Sequence, residues 1–312
     1  MGTPEFATAP LKALLENKYN VVGVITAPDK PAGRGKKLMS TPVKVFAEEN
    51  GIKVFQPEKL KDPEFISSIK KLNPDIQIVV AFRMLPEAIW SIPRLGTFNL
   101  HASLLPHYRG AAPINHAIIN GEKETGLTTF FIDDKIDTGE ILLQEKLPIG
   151  DNETAGELHD RMMQAGSALV LKTVKAIIDG EIVPEKQNSF NINDAILKPA
   201  PKIFKADCKI NLDQSAKQIH DMVRGLSPYP AAFANLKKSD EEIAVKFFRT
   251  NYSVANHNEN IGFIRSDGKN YLKIAVKSGF LEILELQLAG KKRMDTKTFL
   301  LGFKGIEDCK FS

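Results

Sequence analysis

The 312 residues are 43% hydrophobic and 26% charged, ordinary globular usage that excludes a disordered chain, and the length fits two domains at about 150 residues each. Two cysteines, Cys208 and Cys309, stand outside any CxxC or Cys/His ligand spacing, which argues against a disulfide framework and a cysteine-built zinc site and fits a reducing cytosol. The net charge of +4 is uneven: after Cys208 there are 17 Lys and Arg against 12 Asp and Glu, while the first 208 residues balance to −1. Such a basic third is either a solvated face or a surface for a polyanion.

No apolar run approaches the roughly 18 residues of a membrane span, and Met1-Gly2-Thr3-Pro4-Glu5 has neither the basic nor the apolar part of a secretion signal. A cytoplasmic, monomeric protein with no membrane partner is expected, and the sequons at Asn152 and Asn251 are read as chance.

Helix signals run from Thr8 through Leu11, Leu14 and Leu15. Short β-branched runs then alternate with helical stretches: Val21 to Thr26, Val43 to Asn50, Lys53 to Phe55, Pro63 to Leu72, and Ile76 to Ala81. The alternation predicts βαβ units on a parallel sheet, and Ile76–Ala81, apolar at nearly every position, reads as a strand covered on both faces. Gly96 to His101 reads as the next strand, followed by a Pro- and Gly-containing loop, a short helix near Ile114 to Asn120, and strands at Gly126–Ile132 and Glu140–Leu147. One long helix is predicted from Asn152 to Gly180, with Thr154 and Glu157 as its capping box and Gly180 as its stop.

Beyond Gly180 the periodicity fades. Residues 183–207, with Pro184, Pro199 and Pro201, read as a connector between a first domain at 1–182 and a second at 208–312. Ser215 to Gly225 predicts one more helix. Short alternating segments at Ile243–Phe248, Asn260–Arg265, Tyr271–Val276 and Leu281–Leu288 predict a small β-barrel. The expected fold class is therefore α/β: a Rossmann-like, doubly wound, mostly parallel sheet followed by a small OB-like barrel.

The densest chemistry lies in Asn99-Leu100-His101-Ala102-Ser103-Leu104-Leu105-Pro106 and the downstream Asp133 to Gly139. Asn99 and His101 alternate at the C-terminal end of a predicted strand, so they share a face beside the crevice where open α/β sheets bind ligands. With Asp137 they offer a donor for an oxyanion, a proton-transfer group and a carboxylate, a set suited to acyl transfer to an amine. Alone, a His at a strand end is more often structural and Asp137-Thr138-Gly139 is a plain turn. Ser103 lacks the Gly-x-Ser-x-Gly elbow of a hydrolase, and His101, His107 and His116 lack metal-ligand spacing, so no metal is expected.

Asn99-x-His101 with Ser103-Leu104-Leu105-Pro106 and the downstream Asp-Thr-Gly is similar to the signature of the folate-dependent formyltransferases. Gly2 to Phe6, Pro31 to Lys37, Arg109 to Ile114, Leu226 to Pro230 and Gly290 to Met294 resemble the branch of that family that formylates methionyl initiator tRNA, and the resemblance spans nearly the whole chain. It implies 10-formyltetrahydrofolate as co-substrate, Asn99, His101 and Asp137 as the catalytic trio, and Ser103, Leu104, Leu105 and Pro106 as a folate-binding segment. Phe82, Met84, Leu85 and Asp133 are expected to border the pterin, although Ala81-Phe82-Arg83-Met84 departs from the Tyr-Gly pair usual there.

Between Pro28 and Pro42, the cations Lys30, Arg34, Lys36 and Lys37 are spaced by Gly33 and Gly35 and opposed only by Asp29. The segment is not a P-loop. As residues alone it is a surface loop or a phosphate clamp; the resemblance implies that Arg34, Lys36 and Lys37 grip the tRNA acceptor arm and that Lys291, Lys292 and Arg293 assist from the barrel. In the family a short apolar strand precedes the Gly2-Thr3-Pro4-Glu5 turn, whereas here only Met1 does. The first strand is therefore expected to be missing, with about five to eight further apolar residues upstream in the native protein.

Overall fold

The computed structural model describes residues 1–32, 37–190, 196–239 and 241–312. The chain divides into two compact units, one of residues Met1–Gly110, Thr125–Leu147 and His159–Pro199, the other of Ala111–Glu124, Pro148–Leu158 and Ala200–Ser312. The expected boundary near 208 thus falls inside the second unit, which also takes in two segments from the middle of the chain.

The first unit holds α1 (Thr8–Glu16), β1 (Val24–Ile25), β2 (Lys30–Ala32), β3 (Lys37–Met39), α2 (Pro42–Glu49), β4 (Val54–Phe55), α3 (Pro63–Leu72), β5 (Gln77–Val80), α4 (Glu87–Trp90) and β6 (Thr97–His101). After α5 (Pro113–Ile119), a member of the second unit, the first unit continues with most of β7 (Glu124–Phe131), β8 (Ile141–Pro148) and α6 (Ala155–Asp179). The predicted helices form because their ends are capped. Thr41 accepts from the Lys44 N–H with Pro42 behind it, and Asp62 accepts from Glu64 with Pro63 behind it. The expected Thr154/Glu157 box is present, each side chain bonding the other's backbone N–H at 3.3 and 2.9 Å. The Thr154 N–H, with the Arg249 guanidinium beside it, holds the Glu157 carboxyl down to about 2.

β1 and β4 pair in parallel, β5 and β6 pair in parallel, and β6 pairs with β7 antiparallel, in the order β5-β6-β7-β8. Both faces of this sheet are covered, as the apolar Ile76–Ala81 run predicts. Gly166 of α6 sits against Leu100 and Leu127, where a Cβ would come within 2.9 Å of Leu100. On the opposite face Ile25 and Val79 pack with Phe65, Ile69, Leu85 and Ile89.

The two parallel pairs are joined by only two residues. Met1 and Gly2 lie between β1 and β5: the Gly2 N–H donates to Ile25 at 3.1 Å, the Met1 carbonyl accepts from Val80 at 2.9 Å, and the α-amino group donates to the Ile78 carbonyl at 2.6 Å. Beside them lies a cavity of about 450 Å³ lined by Val21, Val22, Ile76 and Ile78, with α1 and α6 side chains along it. The predicted strand Val21–Thr26 accordingly shortens to Val24–Ile25, because its earlier residues have no partner on that side. The basic segment expected as a loop is instead flanked by an antiparallel hairpin, Lys30 opposite Met39 and Ala32 opposite Lys37. Its base is pinned by Asp29, which accepts from Lys44 at 2.6 Å and from Gln56 at 2.8 Å.

The second unit contains α7 (Ala216–Leu226), β9 (Ala232–Lys238), β10 (Glu241–Ser253), β11 (Ile264–Ser266), β12 (Leu272–Val276), β13 (Gly279–Leu288), β14 (Met294–Asp295), α8 (Thr296–Gly302) and β15 (Lys310–Phe311). The sheet runs β11-β12-β13-β10-β9-β15, and a bridge from Lys310 back to Phe263, just before β11, brings its ends together into a nearly closed antiparallel barrel. Ile219, Val223 and Leu226 of α7 are buried in its core with Phe247, Leu272 and Ile274. The helix α8 was not foreseen; Asp295 caps it by accepting from the Thr298 N–H at 2.8 Å.

Burial lowers the Met1 α-amino group from 8.0 to about 5. The folded state thus stays unprotonated where the unfolded chain takes up a proton, so this group's penalty is absent above pH 8, grows as pH falls and is complete below about 5. Acetylating the α-amino group of the 312-residue chain removes the buried amine and should raise the melting temperature, with the gain over the unmodified chain larger at pH 5.5 than at pH 8. Melting curves of both forms at both pH values test this, and superimposable curves would refute it.

Candidate active site

Among the described residues, three of the seven non-glycine residues with positive φ gather around the candidate trio: Ala81 at 48°, Tyr108 at 61° and Asp137 at 55°. Such backbone conformations are uncommon outside glycine and persist only where the surroundings fix them.

Asn99 and His101 stand two residues apart at the end of β6, opposite Phe130 and Thr128 of β7. Asn99 is half-buried, and among the described residues no group bonds its side-chain amide, which leaves both its N–H donors available. His101 is 6% exposed, its ring edge-on to Phe130. Its Nε2 lies 2.8 Å from the Tyr108 carbonyl, an acceptor only, so Nε2 carries a proton and the neutral ring presents Nδ1 as its base. Nδ1 faces Asp137 Oδ2 at 3.8 Å, and that same oxygen accepts from the Gly110 N–H at 2.9 Å. The tautomer of His101 is therefore set by Tyr108. At 3.8 Å the carboxylate faces the ring but stands too far for a direct hydrogen bond to Nδ1.

The loop carrying Asp137 is held from two sides. Asp133 accepts from the Lys135 N–H at 3.0 Å and from the Thr138 hydroxyl at 2.9 Å. Gln187 donates from Nε2 to the carbonyls of Asp137 and Gly139, both at 2.9 Å. Gly139 is obligatory, since a Cβ there would lie 1.7 Å from the Phe131 carbonyl oxygen.

Ser103, Leu105 and Pro106 are buried, and Ser103 Oγ donates to the His107 carbonyl at 2.7 Å. Thr128 Oγ1 donates to Ser103 O at 2.7 Å and accepts from Leu105 N at 3.1 Å, while Gln144 donates to Leu105 O at 2.9 Å. The Leu104 side chain rests over Gly126, where a Cβ would come within 2.5 Å of it. Of the residues expected to border a pterin, Leu85 lies in the core with Phe82 packed against it, Met84 is 63% exposed, and Asp133 is spent on its own turn. The structure thus brings His101 and Asp137 together, with Asn99 two residues from His101 on β6. Sequence reasoning missed Gln187, which sits in the stretch read as connector, and the Tyr108 carbonyl, which no side-chain pattern announces.

Among the cations expected to meet tRNA, Arg34 and Lys36 lie outside the described residues, and of Lys37 only the backbone is described, in β3. Lys291 and Lys292 are exposed in the turn before β14. Arg293 is bonded by Nε to Glu285 at 3.1 Å and lies 4.4 Å over the Phe248 ring, so its charge is partly neutralised.

A formyl transferase model matches residues 1–174, and a formyl transferase C-terminal domain model matches residues 202–304. The chain belongs to the formyl transferase family. It is 54% identical to the methionyl-tRNA formyltransferase of Parabacteroides distasonis over 99% of this chain and 96% of that protein. With the same-named protein of Bacteroides fragilis it shares 52% identity over 97% and 94%. The fold is that of a sugar 3N-formyl transferase, WlaRD, solved in the presence of dTDP and 5-N-formyl-THF: TM-score 0.62, 22% identity, 93% of this chain and 97% of that one. An N-formyltransferase from Helicobacter canadensis, in complex with folinic acid and dTDP-3-aminofucose, matches with TM-score 0.62 and 22% identity over 94% and 97%. Family membership agrees with the motif resemblance, and among the described residues no helix is long and apolar enough to cross a membrane.

Thr128→Val keeps shape but leaves the buried Ser103 carbonyl and Leu105 N–H without this partner. A loss of about 1–3 kcal/mol in unfolding free energy is expected, measured by denaturant titration. An unchanged midpoint would show that the segment does not depend on this hydroxyl.

Proposed function

We propose that this formyl transferase moves the formyl group of 10-formyltetrahydrofolate to the α-amino group of methionyl initiator tRNA. The reading is supported by one observation: at the C-terminal end of β6, a His101 of fixed tautomer faces the Asp137 carboxylate, two residues from Asn99, in a chain about half identical to full-length methionyl-tRNA formyltransferases.

The amine nitrogen attacks the formyl carbon, and the carbonyl oxygen becomes an oxyanion that the Asn99 amide N–H stabilises. The bond from the formyl carbon to N10 of the folate then breaks. The proton lost by the amine goes to Nδ1 of His101 or, through water, to Asp137, and N10 gains one. Oxyanion donors contribute about 10²–10³ in rate and general acid–base groups about 10²–10⁴. Tyr108 O keeps the second imidazole nitrogen protonated throughout, so only Nδ1 changes state. The exposed Lys291 and Lys292, with the cations of the 28–42 segment, would meet tRNA phosphates.

Labelled 10-formyltetrahydrofolate offered with methionyl initiator tRNA, uncharged tRNA or aminosugar nucleotides distinguishes the acceptors; label only on the sugars would overturn this reading. Asp137→Asn should lower kcat by about 10² or more while both KM values stay within a few-fold. A raised KM with normal kcat would make Asp137 a binding group. Neutralising Arg34, Lys36 and Lys37 together should flatten the salt dependence of tRNA binding by about 0.7–0.9 in slope per lost phosphate contact, with folate affinity unchanged. An unaltered slope would assign these charges to solvent.

A further inference from the structure

We infer that Gln187 is a positioning residue for the formyl transfer, acting as a buried amide clamp that fixes the Asp137 turn against Arg109; this rests on the catalytic assignment of Asp137 proposed above. The residue is 6% exposed and uses its whole hydrogen-bonding capacity. Its two N–H groups go to the Asp137 and Gly139 carbonyls, both at 2.9 Å, and its oxygen accepts the Arg109 fork from Nη2 at 2.6 Å and Nε at 3.1 Å. The guanidinium polarises the amide and strengthens both N–H donors.

The chain is delivered to this place by register. Glu185 pairs with Ile141, exchanging N–H···O bonds of 2.8 and 2.9 Å, and so sets Gln187 beside the turn that precedes β8. A loop closes through the site. Arg109 follows Tyr108, whose carbonyl holds His101, and precedes Gly110, whose N–H holds the Asp137 carboxylate. Gln187 ties the same three-residue segment to the backbone of Asp137. The separation between His101 Nδ1 and Asp137 Oδ2 is thus set by a ring of bonds to which Gln187 contributes a side chain that reaches both the 108–110 turn and the 137–139 turn. With φ at +55°, Asp137 has no conformational preference of its own to hold that place.

Gln187→Glu keeps the size and the Arg109 pairing but replaces two donors with a carboxylate oxygen facing two carbonyls. It should lower kcat for methionyl-tRNA formylation about 10–100-fold while both KM values stay within threefold, as a displacement of about an ångström would. Arg109→Lys, which gives up the fork, should lower kcat in the same direction and keeps the question open to test should the first variant fold poorly. In an Asp137→Asn background either substitution should cost little more, because the group being positioned is already gone. Unchanged kcat in both variants, a loss in KM alone, or losses that add in full to that of Asp137→Asn would overturn the inference. Full activity of Asp137→Asn itself would instead overturn the catalytic reading on which it rests.

Discussion

A single left-handed turn at Tyr108 is the reference from which the candidate site is measured. Its carbonyl fixes His101 and, two residues on, the Gly110 N–H fixes Asp137, so an imidazole on a strand end and a carboxylate on a later loop share one piece of backbone. A left-handed non-glycine residue costs about 1–2 kcal/mol. The cost is offset where Tyr108 is 6% exposed and its N–H donates to the Lys198 carbonyl at 2.5 Å. Lys198, in the stretch that the sequence suggests is a connector, is thereby structural: the chain returns after α6 to brace the turn on which the site depends.

What the sequence made legible follows from where local signals carry the structure. The helix at Pro63–Leu72 has an Asp cap, a proline in its first turn and Asn73 in the left-handed conformation at its end, and its predicted and observed limits coincide. β5 was readable because burial on both faces leaves a nearly continuous apolar run. The trio was readable because its residues stand in a dense motif. Gln187 was not, because a glutamine in an aperiodic stretch carries no sign of burial; its value comes wholly from Glu185 pairing with Ile141, a long-range contact. Strand β1 is shorter than its apolar run because pairing needs a neighbour, and the cavity beside Met1 and Gly2 supplies none along Val21 and Val22.

The second unit shows how a basic composition and an exposed basic surface differ. Arg224 is buried with Asp221, Nε to Oδ1 at 2.8 Å, and donates to the carbonyls of Gly150 and Glu153 at 3.2 Å, so its charge organises its own unit. Arg249 bonds Glu157, and Arg293 bonds Glu285. Lys291 and Lys292 in the adjoining turn are exposed. The net +5 after Cys208 already sets Asp221 and Glu285 against their partners but not Glu157 against Arg249, and these three arginines offer a polyanion less than the exposed lysines do.

The same distinction between motif and contact applies to Ser103–Pro106. These residues resemble a folate-binding segment, yet Ser103, Leu105 and Pro106 are turned into the protein and Leu104 lies over Gly126. The segment's side chains are spent on fixing its path: Ser103 closes a turn onto His107, and Leu105 fills a small core with Phe130 and Ile141. What it can present to a ligand is mainly backbone placed by Thr128 and Gln144. The apolar side chains exposed on the neighbouring loops are instead Met84 and Ile136, each 63% exposed. A motif of this kind is recognisable because the fold needs each residue to fix the segment's path.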